Sequence, residues 1–101
     1  MGMDDTNLLV QCDFEVFGHV QGVGFTKHCR DNCLNAGIRG WVKNSKKGTI
    51  VGKMQGLKPE VDKMVEWLRH IGCPGSKIEK CEFENWNTIN RVDYKDFEIR
   101  F

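Results

Sequence analysis

A glycine-rich stretch, residues 16–26, constrains the possible fold more than any other feature of the sequence. Three of the seven residues from 18 to 24 are glycine, namely Gly18, Gly22 and Gly24. Before it, apolar and polar residues alternate as in a β-strand; after it, apolar residues recur at helical spacing. Glycine at such a junction allows positive φ and close approach of a ligand to the backbone. The stretch therefore predicts a tight loop at a helix N-terminus, where free N–H groups and the helix dipole favour an anion.

Hydrophobic periodicity along the rest of the chain predicts five strands and two helices. The predicted strands are residues 8–16, 39–44, 48–55, 78–86 and 97–101, and the predicted helices are residues 25–36 and 59–71. Ile71 is expected to close the apolar stripe of the second helix. A phase break near Ile78 predicts a β-bulge, and the polar residues 87–96 are expected to form a loop.

The resulting order, βαββαβ followed by a last strand, defines the fold class. Right-handed crossovers place both helices on the same side of the sheet. The prediction is an α+β, ferredoxin-like βαββαβ sandwich, with one mostly antiparallel sheet and two helices packed on one face. Residues 1–7 are expected to be a flexible N-terminal tail, and residues 8–101 a single domain.

The charge balance argues against large charged partners. Lysine and arginine number 15 and aspartate and glutamate 14, giving a formal net charge of +1. An RNA-binding sandwich shares this topology but needs aromatic residues on the open sheet in basic surroundings, and it is set aside. No apolar run approaches the roughly 20 residues that span a bilayer. We therefore expect a cytoplasmic monomer that binds neither nucleic acid nor membrane.

The five cysteines form no recognisable disulfide or metal pattern. Their odd number and irregular spacing favour reduced, partly buried thiols. A metal site formed by His28, Cys29 and Cys33 would have only three ligands at an unfamiliar spacing, and we reject it. His28 is instead expected to be partly buried against a strand. No metal and no cofactor are predicted.

Two motifs carry a resemblance to a known family. The first is Gly-x-Val-Gln-Gly-Val-x-Phe, starting at Gly18, and the second is Gly-Trp-Val-Lys-Asn, starting at Gly40 and followed by Gly48 and Gly56. Together they resemble the two signatures of the acylphosphatases, small enzymes that hydrolyse the carboxyl–phosphate bond of acyl phosphates. The resemblance implies a small-molecule partner, either an acyl phosphate or inorganic phosphate.

The resemblance also implies roles for individual residues. Backbone N–H groups of a phosphate-binding loop would hold the phosphoryl oxygens; the loop residues are His19, Val20, Gln21, Gly22 and Val23. Asn44 would hold the attacking water through its side-chain amide, without adding a negative charge that repels the phosphate. Apart from the resemblance, Asn44 can also be read as a residue that ends a strand before a turn.

Thr26 occupies the position at which the family has a phosphate-binding arginine. A threonine supplies one neutral donor, and its hydroxyl can instead bond locally to the helix start. Lys27 points about 100° away around the helix, and a histidine such as His19 lacks the permanent charge of an arginine. The sequence thus predicts an acylphosphatase with reduced or abolished turnover. The alternative is a non-catalytic anion-binding or protein-interaction module on the same fold.

Overall fold

The order of strands and helices follows the predicted one in the computed structural model, which describes residues 7–101. The elements are β1 (Leu9–His19), α1 (Phe25–Asn35), β2 (Arg39–Asn44), β3 (Ile50–Leu57), α2 (Lys58–Glu66), β4 (Lys77–Ile89) and β5 (Phe97–Arg100). Helix α2 continues into a π-helical segment, Trp67–Ile71. The predicted tail falls mainly on residues 1–6, outside the described residues, while Asn7 is exposed.

All five strands belong to one sheet with the spatial order β4-β1-β3-β2-β5. Its pairs are antiparallel except for β2 and β5, which run parallel. Helix α1 packs over β2 and β5, and α2 packs over β1 and β3. The predicted α+β sandwich is therefore confirmed.

A single hydrophobic core fills the space between the sheet and the helices. Alternate residues of β1 enter it, and α1 contributes one face. The core is built from Val10, Cys12, Phe14, Val16, Val20, Phe25, Cys29, Cys33, Ile38, Val42, Ile50, Met54, Val61, Met64, Leu68, Cys73 and Phe97. Because burying a large aliphatic side chain stabilises a fold by about 1.5–3 kcal/mol, this core holds α1 and α2 firmly on the sheet.

Strand β4 is longer than the sequence pattern suggests. It extends to Ile89, which pairs with Leu9, although residues 87–89 were expected to lie in a loop. This expectation was wrong because β4 is an edge strand, and the backbone of the long β1 pairs with it whatever its polar side chains are. The predicted bulge near Ile78 is confirmed, since the register shifts where Phe17 pairs with Lys80 and Gly18 with Ile78.

The end of the second helix also departs from the prediction. Ile71 is 66% exposed, because the helix widens into the π-helical segment, and the α-helical spacing that placed Ile71 on the apolar stripe no longer applies. The N–H of Gly72 bonds to the carbonyl of Trp67 at 2.8 Å, an i→i+5 bond. Within residues 7–101, neither helix combines the length and apolarity that crossing a membrane requires.

Candidate functional site

Three segments that are distant in the sequence meet at one edge of the sheet. Strands β1 and β2 are both antiparallel to β3, so their C-terminal ends lie at the same edge. The chain leaves β1 at this edge, passes through residues 20–24 and enters α1. The topology thus brings together the glycine-rich loop, the first turn of α1 with Thr26, and Asn44 at the end of β2.

The backbone on either side of the loop requires glycine, at Gly18 near the end of β1 and at Gly24 before α1. Gly18 has φ +131° and runs so close to β4 that an added Cβ would lie 2.1 Å from the carbonyl oxygen of Lys77. Gly24 adopts the left-handed conformation, with φ 78°, at the N-cap of α1. Between them, Val20 is 1% exposed and anchors the loop in the core. His19, at the end of β1, is exposed.

The loop presents free backbone donors next to the positive end of a helix dipole. Within residues 7–101, no backbone N–H of positions 20–24 donates a hydrogen bond to another protein group. They adjoin the N-terminus of the 11-residue α1, whose first turn contains no acidic residue. Unpaired N–H groups and the helix dipole both favour an anion at this position.

The side chain of Gln21 ties the loop to the turn between β2 and β3. Its Nε2 donates to the carbonyl of Ser45 at 2.8 Å and to the carbonyl of Thr49 at 2.9 Å. The sequence motif contains Gln21, but nothing in it indicates this contact, because the two carbonyls are 24 and 28 positions away.

A hydrogen-bonded cluster in the β2–β3 turn extends this contact to the opposite face of the sheet. Ser45 Oγ lies 2.5 Å from Thr49 Oγ1, and Thr49 Oγ1 donates to Glu15 Oε2 at 2.7 Å. Sequence reasoning missed these three residues. Serine and threonine at the two ends of a polar turn are a signal for local side-chain bonds that could have suggested the first pair, whereas the contact with Glu15 depends on strand register.

The turn that precedes β4 contacts the loop through a hydrogen bond. Cys73, 3% exposed, donates from Sγ to the carbonyl of Val23 at 3.5 Å, and Ser76 Oγ donates to the carbonyl of Cys73 at 2.6 Å. The Phe25 ring packs against the ring of Trp67, with centroids 5.1 Å apart, and so joins the start of α1 to the π-helical segment that continues α2. The loop is thus supported by protein on two sides.

Asn44 lies on the helix-bearing face of the sheet. It pairs with the fully buried Ile50, and directly paired residues of antiparallel strands point to the same face. Val42, two residues earlier on β2, is also fully buried. Asn44 itself is exposed because it lies beyond the edge of the core, on the side where the loop and α1 begin.

Thr26 is half-buried in the first turn of α1. The two residues that follow, Lys27 and His28, are exposed. The expectation that His28 packs against a strand was wrong, because the buried face of α1 is formed by Phe25, Cys29 and Cys33. Lys46 and Lys47, in the turn that follows Asn44, are exposed, and Lys47 Nζ lies 3.8 Å from Glu15 Oε2.

The thiols are all free, and four of the five are buried. A hydrogen bond with Cys29, together with burial, raises the pKa of Cys33, and burial raises the pKa of Cys12 and of Cys81 to about 12 each. Neutral thiols of this kind are poor metal ligands. Residues 7–101 contain no group of three or more His, Cys, Asp or Glu side chains arranged to hold a metal ion.

The fold and the loop at a helix N-terminus define a ferredoxin-like sandwich with a candidate anion site. The model of the Acylphosphatase family matches residues 12–99. Acylphosphatase-2 of Mus musculus is 45% identical over 96 residues, covering 95% of this chain and 91% of the relative. Acylphosphatase-2 of Homo sapiens is 41% identical over 99 residues, covering 98% of this chain and 100% of the relative.

A solved structure agrees with these sequence matches. The structure of an acylphosphatase from Coxiella burnetii aligns with a TM-score of 0.82 at 29% identity, covering 92% of this chain and 94% of that chain. The chain therefore belongs to the acylphosphatase family.

Proposed function

We propose that this chain is an acylphosphatase that hydrolyses the carboxyl–phosphate bond of small acyl phosphates to carboxylate and phosphate. The observation that carries the proposal is the meeting of unpaired loop N–H groups, the N-terminus of α1 and Asn44 at one sheet edge. Membership of the acylphosphatase family supports the same reaction.

In the proposed reaction the loop binds the phosphoryl group and Asn44 binds the water. Backbone N–H groups of residues 19–23 donate to the phosphoryl oxygens, as loop amides do in other phosphate sites. The Asn44 amide orients a water whose oxygen bonds to phosphorus while the bond to the carboxylate oxygen breaks. The carboxylate leaves with the bonding electrons, and the water protons pass to phosphate and solvent. This reaction uses no cofactor.

We further propose that Thr26 makes the turnover slow. Phosphoryl transfer depends on stabilising charge on the phosphoryl oxygens, and an arginine provides a planar, charged fork for two of them. Thr26 provides one neutral hydroxyl, and the neighbouring Lys27 is exposed to solvent. Because arginine fingers in other phosphoryl-transfer enzymes contribute about 10³–10⁵ in rate, we expect a loss of that order here.

The neutral Thr26 also favours a second candidate function. A chain that keeps the cradle without the charge is suited to bind anions or a protein partner without turning substrate over. This candidate, a non-catalytic anion-binding or protein-interaction module, predicts no hydrolysis at any enzyme concentration.

We also propose the setting in which the chain acts. Five free thiols support a reducing compartment, the cytoplasm. The continuous core from β1 to β5 supports residues 8–101 as one domain. We propose that this domain is a monomer whose partner is a small-molecule acyl phosphate or inorganic phosphate, rather than nucleic acid or membrane.

The test is hydrolysis of benzoyl phosphate by the native chain, by Thr26→Arg, and by Thr26→Arg combined with Asn44→Ala. We expect Thr26→Arg to raise kcat/KM by about 10³–10⁵, in line with other catalytic arginines, and the Asn44 substitution to remove most of the gain. Fast turnover by the native chain would overturn the role given to Thr26. No turnover by either the native chain or Thr26→Arg would favour the non-catalytic module.

A further inference from the structure

Gln21 joins two parts of the site that come from distant parts of the sequence. Its side-chain amide donates to the carbonyls of Ser45 and Thr49 at 2.8 and 2.9 Å. A primary amide has two hydrogens, so both are used, one at each end of the β2–β3 turn. Asn44 immediately precedes this turn. The contact therefore fixes the loop relative to the residue that is proposed to hold the attacking water.

The turn that receives these bonds is itself held from within. The N–H of Ser45 donates to the carbonyl of Thr49 at 2.8 Å. Ser45 Oγ accepts from the backbone N–H groups of Lys47 and Thr49 at 3.2 and 3.1 Å. With both lone pairs of Ser45 Oγ engaged, its own hydrogen is directed to Thr49 Oγ1, which lies 2.5 Å away.

The cluster ends on a carboxylate. Thr49, 6% exposed, donates to Glu15 Oε2 at 2.7 Å, so the hydrogen bonds run in one direction, from Ser45 through Thr49 to Glu15. A hydrogen bond to an ionised acceptor is roughly twice as strong as one between neutral groups. Glu15 lies on the face of the sheet opposite the helices, because it alternates with the buried Phe14 and Val16.

We propose that Gln21 is a positioning residue for the acylphosphatase reaction and that Glu15 supports it through Thr49 and Ser45. Gln21 holds the phosphate-binding loop at a fixed distance from Asn44, so that the bound phosphoryl group and the bound water meet in line. This inference rests on the proposed function. It adds to the loop's backbone contacts with phosphate a separate role for the Gln21 side chain.

The buried Val20 side chain and the bond from Cys73 to the Val23 carbonyl hold part of the loop, but its backbone N–H groups add nothing to this. Its N–H groups at positions 20–24 have no protein acceptor within residues 7–101, and both Gly22 and Gly24 have positive φ. Segments with few internal hydrogen bonds open and move at low energetic cost. A misplacement of about 1 Å between reacting groups can lower a rate by about 10²-fold.

The experiment compares Gln21→Met with Gln11→Met. Methionine matches glutamine in length and lacks the amide donors. Gln11 is a suitable control because it is a half-buried glutamine near the other end of β1, where it accepts a hydrogen bond from Gln55 at 2.9 Å. Nitrogen-15 relaxation of the ligand-free protein measures the backbone order at residues 20–24 and 45–49, and the order of the Asn44 side-chain amide.

We expect Gln21→Met to lower the order parameters of residues 20–24 from about 0.85, typical of rigid backbone, towards about 0.6. The turn at residues 45–49 should keep its order, because its own hydrogen bonds hold it. Gln11→Met should leave both segments unchanged. In a Thr26→Arg background we expect Gln21→Met to lower kcat/KM for benzoyl phosphate by about 10- to 100-fold, with both a higher KM and a lower kcat. Gln11→Met in that background should keep the parent values.

Unchanged loop order in Gln21→Met would overturn the proposal, as would unchanged kcat and KM in an active Thr26→Arg parent. An inactive Thr26→Arg parent would count against the proposed function alone, because the relaxation measurement still decides whether Gln21 orders the loop. If Gln21→Met does not fold, Gln21→Asn, whose amide is one methylene too short to reach both carbonyls, is measured in its place with the same expectations.

Discussion

Asn44 and Val16 lie in one row across the sheet, on the same face, with Ile50 of β3 between them. Adjacent strands lie about 4.8 Å apart, so Asn44 lies about 10 Å from Val16 across the sheet. Val16 is three residues before His19, where the phosphate-binding loop begins. Val16 is fully buried, whereas Asn44 is exposed. The row therefore starts in the core and ends at the candidate site.

The first prediction concerns this asparagine in a Thr26→Arg background. Asn44→Ala should lower kcat for benzoyl phosphate by about 10²-fold and leave KM nearly unchanged, because the side chain acts on water and not on phosphate. Asn44→Asp should lower kcat and also raise KM, because a carboxylate repels the phosphoryl group. Asn35→Ala, at the exposed C-terminal end of α1, is the matched control. Equal kcat in Asn44→Ala and Asn35→Ala would contradict the role of Asn44.

The second prediction concerns the close approach of Gly18 to β4. Gly18→Ala should destabilise the fold by about 2–5 kcal/mol, because it adds backbone strain at positive φ to an overlap with the Lys77 carbonyl. Gly48→Ala is the control: φ is also positive there, +91°, but an added Cβ meets nothing within 4 Å. Strain alone should make Gly48→Ala cost about 1 kcal/mol. Urea unfolding measures the free energy of unfolding of both variants. Equal decreases in the two would show that the overlap with the Lys77 carbonyl does not destabilise the fold.

The order of elements could be predicted from the sequence because each helix and most strands have one apolar face. The alternation in β1 and the helical spacing from Phe25 to Cys33 both reflect burial in the same core. Two features escaped because burial does not determine them. The extension of β4 depends on backbone pairing with β1, and the exposure of Ile71 depends on a π-helical turn that hydrophobic spacing does not encode.

The candidate site could be predicted only in part, for a related reason. The loop could be predicted from its glycines, because Gly18 and Gly24 adopt positive φ, a conformation that favours glycine. The contact of Gln21 with the β2–β3 turn, and that of Glu15 with Thr49, join residues 24–34 positions apart. Such contacts follow from strand order and register, which no local pattern specifies. The neutral Thr26 stood out only through the family resemblance.

The third prediction tests the anion cradle without requiring turnover. Inorganic phosphate should raise the Tm of the native chain in a saturable way, because a ligand that binds only the folded state stabilises it by RT ln(1 + [L]/Kd), about 2.7 kcal/mol at a hundredfold excess over Kd. Chloride at matched ionic strength is the control for screening. Amide resonances of residues 19–23 should shift in the same titration. Identical Tm values in phosphate and chloride, with unmoved loop resonances, would argue against the cradle.

The last prediction concerns the buried thiol of Cys12 and follows from its raised pKa. Burial raises the pKa of Cys12 from 9.0 to about 12. Between these values the unfolded chain has lost the thiol proton while the folded chain keeps it, so the unfolded state binds fewer protons and stability falls as pH rises. Below about pH 9 both states are protonated, and this group makes no pH-dependent contribution.

The measurement is urea unfolding of the native chain and of Cys12→Ala at pH 7 and at pH 10.5. Lysine, tyrosine and the other cysteines also titrate in this range, but they are common to both proteins, so the difference between the two reports mainly on Cys12. We expect the native chain to lose more stability than Cys12→Ala over this interval. The folded protein should also leave Cys12 unreactive towards a thiol reagent at pH 8, because the thiolate is the reactive form and the side chain is 0% exposed. Equal losses of stability in the two proteins, or rapid modification of Cys12 in the folded state, would show that the thiol is neither buried nor held neutral.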